Sequence, residues 1–287
     1  MSSNEQMTWE DAVIWLRNNP ARYDLVRACY FDDPLLDAVE RFSKSEEWKS
    51  QKSILPKTVG KVLDLGAGRG ITSYALAREG WKVCALEPDP SEIVGAEAIR
   101  SLVEMVDLDI EVLGDFSENI TKPDDSFDLV TCRAALHHAS DLKQTCREIY
   151  RVLKPGGTVV ATREHVISRK KDLSIFLERH PLQSLYGGEN AYLVSEYLEA
   201  LSSAGLKVTK VIPTFASPIN YSPMTEIQLV LRCTRHLSIL IGEDRVKKIF
   251  SRETKYGDFL TTLLIKLVDW YNPTPGRPYS FVAKKEV

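Results

Sequence analysis

Hydrophobic and polar positions along the middle of the chain switch between two periods. Lys61 to Leu65 reads as a strand covered on both faces, with Val62-Leu63-Asp64-Leu65 almost unbroken apolar sequence, and Ile71 to Glu79 then repeats at helical spacing. The pair recurs: Lys82 to Leu86 reads as a strand, and Ser91 to about Val106 as a helix begun by Pro88 and Pro90. Asp109 to Leu113 and Ser126 to Cys132 read as strands, the latter after the turn signal Lys122-Pro123-Asp124-Asp125. Asp141 to Leu153 predicts a helix stopped by Lys154-Pro155-Gly156-Gly157, Thr158 to Thr162 a strand, Ser195 to Ala204 a helix and Leu206 to Ile212 a sixth strand. Such alternation predicts a doubly wound α/β fold with a parallel sheet and right-handed crossovers.

Other stretches fall outside this rhythm. Residues 1–57 predict a helical unit: Thr8 with Asp11 forms a helix-capping pattern, and Asp32-Asp33-Pro34 starts a helix carrying Leu35, Leu36, Val39 and Phe42. Its aromatic residues, Trp9, Trp15, Tyr23, Tyr30, Phe31, Phe42 and Trp48, suit either packing on the core or a lid that excludes water. Residues 58–287 form the second unit, with insertions at about 164–194 and 217–278 before a last β-like run, Tyr279 to Ala283.

The turn after the first strand carries the clearest chemistry. Gly66, Gly68 and Gly70 allow a tight turn and close approach of backbone to a ligand. Ile71 stands where the dinucleotide fingerprint needs its last glycine, and no Gly-Lys-Ser/Thr follows, so nicotinamide, flavin and P-loop nucleotides are disfavoured. Asp64, just before the turn, suits a cationic group and would repel a pyrophosphate. Glu87 ends the second strand, where an acidic side chain can take both hydroxyls of a ribose. A ribose and a cationic amino group without phosphate point to S-adenosyl-L-methionine.

From about Lys61 to Thr214 the sequence resembles the class I S-adenosylmethionine-dependent methyltransferases. The run Glu148-Ile149-x-Arg151-Val152-Leu153-Lys154-Pro155-Gly156-Gly157 is similar to the small-molecule branch that includes ubiquinone, menaquinone, sugar and natural-product methyltransferases. The resemblance implies a seven-stranded sheet with an antiparallel last strand. It implies cofactor contacts from Asp64, Gly66, Ala67, Gly68, Glu87, Pro88, Asp115, Phe116 and Arg133. In similar sugar and natural-product enzymes a histidine in a Leu-His-His stretch is the base, which implies that role for His138, with His137 as the other candidate. Methyl transfer needs alignment and exclusion of water, and a hydroxyl acceptor also needs a base near neutrality, which imidazole supplies.

Glu164 and His165, after the fifth strand, are expected to face the same crevice and to bind, orient or deprotonate the acceptor. The segment His180 to Tyr192, dense in polar groups, aromatics and glycines, suits either a sugar surface or an ordered loop. The expected activity is therefore methylation of a small molecule, with O-methylation of a sugar or hydroxylated metabolite ahead of C- or N-methylation, RNA modification or non-catalytic cofactor binding.

A net charge of -3 gives no global field to attract nucleic acid. Arg232, Arg235, Arg245, Lys247, Lys248 and Arg252 read as solvated helix faces, with contact to RNA or an anionic acceptor as the other use. Five cysteines without a CxxC pair predict neither a zinc site nor disulfides. Met1 to Thr8 is polar, no apolar run is long enough to span a bilayer, and a cytoplasmic protein is expected; a homo-oligomer is compatible with the sequence.

Overall fold

The structure is a computed structural model, and it describes residues 7–287. The polar start and the first part of the 1–57 unit thus lie outside the described residues. Seven strands form an open sheet: β1 (Lys61–Leu65), β2 (Lys82–Leu86), β3 (Ile110–Leu113), β4 (Phe127–Arg133), β5 (Leu153–Ile167), β7 (Leu206–Ile212) and β8 (Arg277–Lys285). Their order is β3-β2-β1-β4-β5-β8-β7, and the two-residue β6 (Tyr192–Leu193) pairs with the end of β5. β8 runs antiparallel to both β5 and β7, as expected for the last strand.

Both faces of the sheet are covered, which explains the unbroken apolar runs. Successive side chains of a strand point to opposite faces, so Leu63, Val130 and Ala161 meet Cys146 and Ile149 of α7 (Leu142–Val152) and Tyr197 of α9 (Val194–Ser203). Val62, Leu129 and Val160 meet α3 (Leu35–Lys44), α5 (Ile71–Arg78) and α6 (Ala96–Met105) on the other face.

The buried N-terminal aromatics pack in two separate places. Phe42 of α3 and Trp48 of α4 (Glu46–Lys52) are fully buried in the main core together with Tyr30. Helix α1 (Trp9–Arg17), whose start carries the Thr8–Asp11 capping box, and α2 (Tyr23–Ala28) instead form a separate apolar cluster. There Trp9, Leu16, Val26 and Phe31 pack against Leu182, Leu185 and Tyr186.

Helix α6 and strand β5 differ most from expectation. Helix α6 starts at Ala96, because residues 91–95 stay in turns: the Asp89 carboxylate accepts the Ser91 N–H at 2.8 Å and its carbonyl accepts the Ala96 N–H at 2.7 Å. β5 continues to Ile167, so the insertion placed at residue 164 begins inside a strand. A register shift between Ala161 and Glu164, with Arg163 at φ 60, lets Glu164, His165 and Val166 pair with Tyr279, Pro278 and Arg277.

Helix α8 (Asp172–Arg179) follows β5, and the second insertion holds α10 (Pro218–Tyr221), α11 (Glu226–Cys233), α12 (Arg235–Ile241), α13 (Glu243–Ile249) and α14 (Lys255–Tyr271). Within it Arg252, in the turn between α13 and α14, is paired with Glu226 and Asp258, each at 2.7 Å, and Lys247 of α13 with Asp244 at 3.3 Å. No helix among the described residues is long and apolar enough to cross a membrane.

Candidate functional site

The carboxyl ends of β1, β2 and β4 open onto one crevice, where open α/β sheets bind ligands. After β1 the chain turns through Gly66 and Gly68 at φ 68 and 55. A Cβ on Gly66 would stand 2.7 Å from the Ala135 Cβ, so the loop lies directly against the segment that follows β4. The Ala67 and Gly66 N–H groups both donate to the Leu86 carbonyl, which ties the loop to β2.

Glu87 is buried at the end of β2, accepting the Gly68 N–H at 2.7 Å and the Asp89 N–H at 3.0 Å. Each carboxylate oxygen keeps a second lone pair for a hydroxyl donor. Burial outweighs those two bonds and pushes the Glu87 carboxyl up to about 7. Half-buried Pro88 follows it. Asp64 does not stand at the mouth of the turn: it is buried beneath the loop, where Ser73 Oγ donates to it at 2.6 Å and burial raises it to about 7.

Asp115 uses one oxygen for the Thr121 N–H and hydroxyl, both at 2.7 Å, and Phe116 is 68% exposed beside it, a free aromatic face. The glycine cradle, a carboxylate with spare lone pairs and the free ring fit S-adenosylmethionine.

The Arg133 side chain, at the end of β4, is held by the N-terminal unit. Its Nε donates to Glu47 of α4 at 2.6 Å, and its guanidinium lies 5.5 and 5.4 Å from the Tyr30 and Phe42 ring centres. Sequence reading missed Arg69, whose guanidinium joins the loop to the N-terminal unit through the Tyr30 and Asp32 carbonyls and Asp33. Its place inside the glycine motif was the available signal.

Beyond β4 a single helical turn, residues 136–138, presents two histidines in opposite ways. His138 is exposed, and its Nδ1 lies 3.0 Å from the Gly188 carbonyl. A carbonyl only accepts, so Nδ1 carries the proton and Nε2 keeps its lone pair. His137 is buried, with Nδ1 2.8 Å from Glu164.

Glu164, expected to face the crevice, is instead turned inward and is 0% exposed. Its carboxylate accepts the N–H groups of Ala135, Leu136 and His137 at 3.1–3.2 Å, fixing the turn that carries both histidines. Burial raises its carboxyl to about 7 and holds the His137 imidazole well below its ordinary range. Half-buried His165 bonds the Gly276 carbonyl through Nδ1 at 2.8 Å and is likewise held well down by burial.

The polar groups of the 180–192 segment are largely spent on one another. Tyr186 Oη donates to Glu189 at 3.0 Å and Gln183 Oε1 accepts the Glu189 N–H at 3.0 Å. That matches the ordered-loop reading more closely than a sugar surface. Trp9 of α1 stacks 4.6 Å from Tyr186, and Glu10 accepts the Ile93 N–H at 3.0 Å, so α1 bridges this loop and the one after Glu87. A cavity of about 770 Å³ lies between α11, α14 and the start of β8, and its lining includes Gly276 and Pro278, which neighbour His165.

A family described as a methyltransferase domain matches residues 63–161. The uncharacterized methyltransferase YcgJ of Bacillus subtilis is 36% identical over 105 residues, 34% of this chain and 38% of that protein. The ubiquinone biosynthesis O-methyltransferase of Rhizobium johnstonii is 27% identical over 66% of this chain and 73% of its own length. Among solved structures, an S-adenosylmethionine-dependent methyltransferase from Mesorhizobium loti superposes with a TM-score of 0.52 at 18% identity, over 85% of this chain and 99% of that one. The [4+2]-cyclase SpnF superposes with a TM-score of 0.56 at 19% identity, over 89% and 83%. These two likenesses show the fold, and the cyclase shows that the fold alone does not fix the reaction.

Proposed function

The chain carries a class I S-adenosylmethionine-dependent methyltransferase domain, and from that premise we propose that it O-methylates a hydroxylated small molecule, with His138 as general base. The observation that carries this reading is the His138 tautomer: Nδ1–H is committed to the Gly188 carbonyl, which leaves Nε2 to take a hydroxyl proton. The cofactor supplies a methyl group on a sulfonium, a leaving group that needs no proton. The work left to the chain is to hold the acceptor in line, accept its proton and keep water out.

In this reading Glu87 takes the ribose hydroxyls, the backbone at Gly66, Ala67, Gly68 and Pro88 borders the methionine and ribose portions, and Asp115 and Phe116 meet the adenine. Asp64, under the loop, holds Ser73 and contributes negative potential. Glu164 orients the turn bearing the base, and His165 shapes the acceptor side. Helices α1 and α2 with the 180–187 segment close the crevice. A sugar is one acceptor of this class. The curated relative named as a ubiquinone biosynthesis O-methyltransferase favours an oxygen acceptor; N- or C-methylation is the second reading. NMR of the methylated product decides between them: a methyl on oxygen supports the proposal and a methyl on nitrogen or carbon contradicts it.

Cofactor affinity should depend on pH through Glu87. In the free protein this carboxyl is protonated below about 7, and a ribose offers hydroxyl donors that need accepting oxygens. Binding therefore releases a proton at low pH, and affinity for S-adenosylhomocysteine should fall as pH drops through about 7. Glu87→Gln should flatten this limb and lower affinity about tenfold at high pH.

The stability effect has the opposite sign. A carboxyl raised by folding contributes stability at low pH that is lost as pH rises through about 7. Glu87→Gln should thus raise the Tm of the cofactor-free protein above neutrality. Calorimetric titration and thermal melts across this range check both signs; a pH-independent affinity in the wild type would remove Glu87 from the ribose.

A further inference from the structure

We propose that His137, His165 and Glu189 form a binding site for a divalent transition-metal ion, with Zn²⁺ the best match. Four of the chain's five histidines, His137, His138, His165 and His180, converge on this one place from three segments. Of the group, His137, His165 and Glu189 offer one ligand atom each, all within 4.8 Å of one another.

The hydrogen bonds around the three residues leave the atoms that matter free. His137 gives its Nδ1–H to the Glu164 carboxylate at 2.8 Å, and His165 gives its Nδ1–H to the Gly276 carbonyl at 2.8 Å. Both imidazoles therefore keep an Nε2 lone pair, and both have the outer-shell partner that fixes ring and tautomer at metal sites.

Glu189 supplies the second, independent observation. Its side chain is 3% exposed, and its Oε2 has no hydrogen-bond partner among the described residues, although it points to within 4.0 Å of His137 Nε2. A buried carboxylate oxygen without a donor is costly, and two facing acceptors can be joined by a cation. Oε1 is already oriented by the Tyr186 hydroxyl at 3.0 Å. His180 Nδ1, also buried without a hydrogen-bond partner, lies 3.5 Å from Oε1 and borders the remaining coordination position, where a water could stand.

Two imidazoles and one carboxylate select a borderline ion over Mg²⁺ or Ca²⁺, which prefer oxygen ligands throughout. Zinc bond lengths of about 2.0–2.2 Å put tetrahedral ligands roughly 3.4 Å apart, so closure asks the Glu189 segment to move in by about an ångström. The ion would clamp the 180–190 loop to the ends of β4 and β5, beneath the turn that carries His138. The ligand set uses no cysteine, which is why the scattered cysteines gave no sign of it.

The test is metal binding by the full chain, read without methyl transfer. After chelator treatment and buffer exchange, the wild type should take up one Zn²⁺ per chain by elemental mass spectrometry, bind Co²⁺ with visible ligand-field bands, and melt at a higher temperature with Zn²⁺. Glu189→Gln and His165→Gln should each weaken binding by at least about a hundredfold, more than loss of an outer-shell partner costs. His236→Ala, which alters the one histidine outside the cluster, should bind as the wild type does. Circular dichroism identifies the variants that fold, and either one suffices. A folded wild type that takes up neither Zn²⁺ nor Co²⁺, or folded variants that bind as tightly as the wild type, would overturn the proposal.

Discussion

Replacing His138 with alanine is expected to lower turnover about 10²–10⁴-fold, the usual share of a general base, while affinity for S-adenosylhomocysteine stays within about twofold. The expectation rests on two features of the residue. Its ring is exposed at the carboxyl end of β4, beside a segment that touches the glycine loop, and its one donor nitrogen is already bound to the Gly188 carbonyl. The variant loses a proton acceptor and no bond to the cofactor loop. Added imidazole should restore part of the rate, an effect that loss of a purely structural side chain would not give. Wild-type turnover in the variant would remove the base assignment, and loss of cofactor affinity would make His138 a shaper of the cofactor pocket.

The largest stability effect is expected at Glu47. Its carboxylate, 2% exposed, faces the Arg133 Nε at 2.6 Å and an Arg163 guanidinium nitrogen at 3.6 Å, with the Arg133 side chain 13% exposed. Glu47→Ala leaves two arginines facing each other without a counter-charge, one of them packed against the Tyr30 and Phe42 rings. Breaking a buried pair on one side typically costs about 3–5 kcal/mol, which should appear as a large fall in the urea midpoint. Glu40→Ala, at an exposed pair with Lys44, should leave the midpoint where it is. A change below about 1 kcal/mol at Glu47 would mean that water relieves the buried charge and that α4 is not held by this pair.

The sheet was legible where burial on both faces makes the apolar pattern continuous. β1, β2 and β7 run over the same residues that the sequence marks, and the order of elements from Lys61 to Ile212 is as read. β5 was cut short because Arg163, Glu164 and His165 break its apolar run. Those polar residues stay in the strand because their groups find partners in β8, the 136–138 turn and the Gly276 carbonyl.

The start of α6 was misplaced because proline and aspartate signal a helix start and a turn alike, and the Asp89 bonds that decide between them are local geometry. At the site, the glycine loop and Glu87 were readable because a single stretch of chain builds them. The histidine cluster was not, since His137, His165, and His180 with Glu189 come from three separate segments and meet only after folding. Arg133 lies in a readable motif, but the partner of its charge, Glu47, is a residue that no local pattern connects to it.

The proposed reaction is transfer of a methyl group from S-adenosylmethionine to a hydroxylated small molecule. It is tested most directly by supplying the protein with S-adenosylmethionine carrying a trideuterated methyl group, together with a small-molecule extract or a panel of hydroxylated metabolites, and following both products by mass spectrometry. A small molecule is expected to gain one trideuteromethyl group in step with S-adenosylhomocysteine release, at a rate that collapses in His138→Ala. A folded protein that binds S-adenosylhomocysteine yet labels only RNA, or labels nothing while a known methyltransferase labels its acceptor in the same extract, would contradict it.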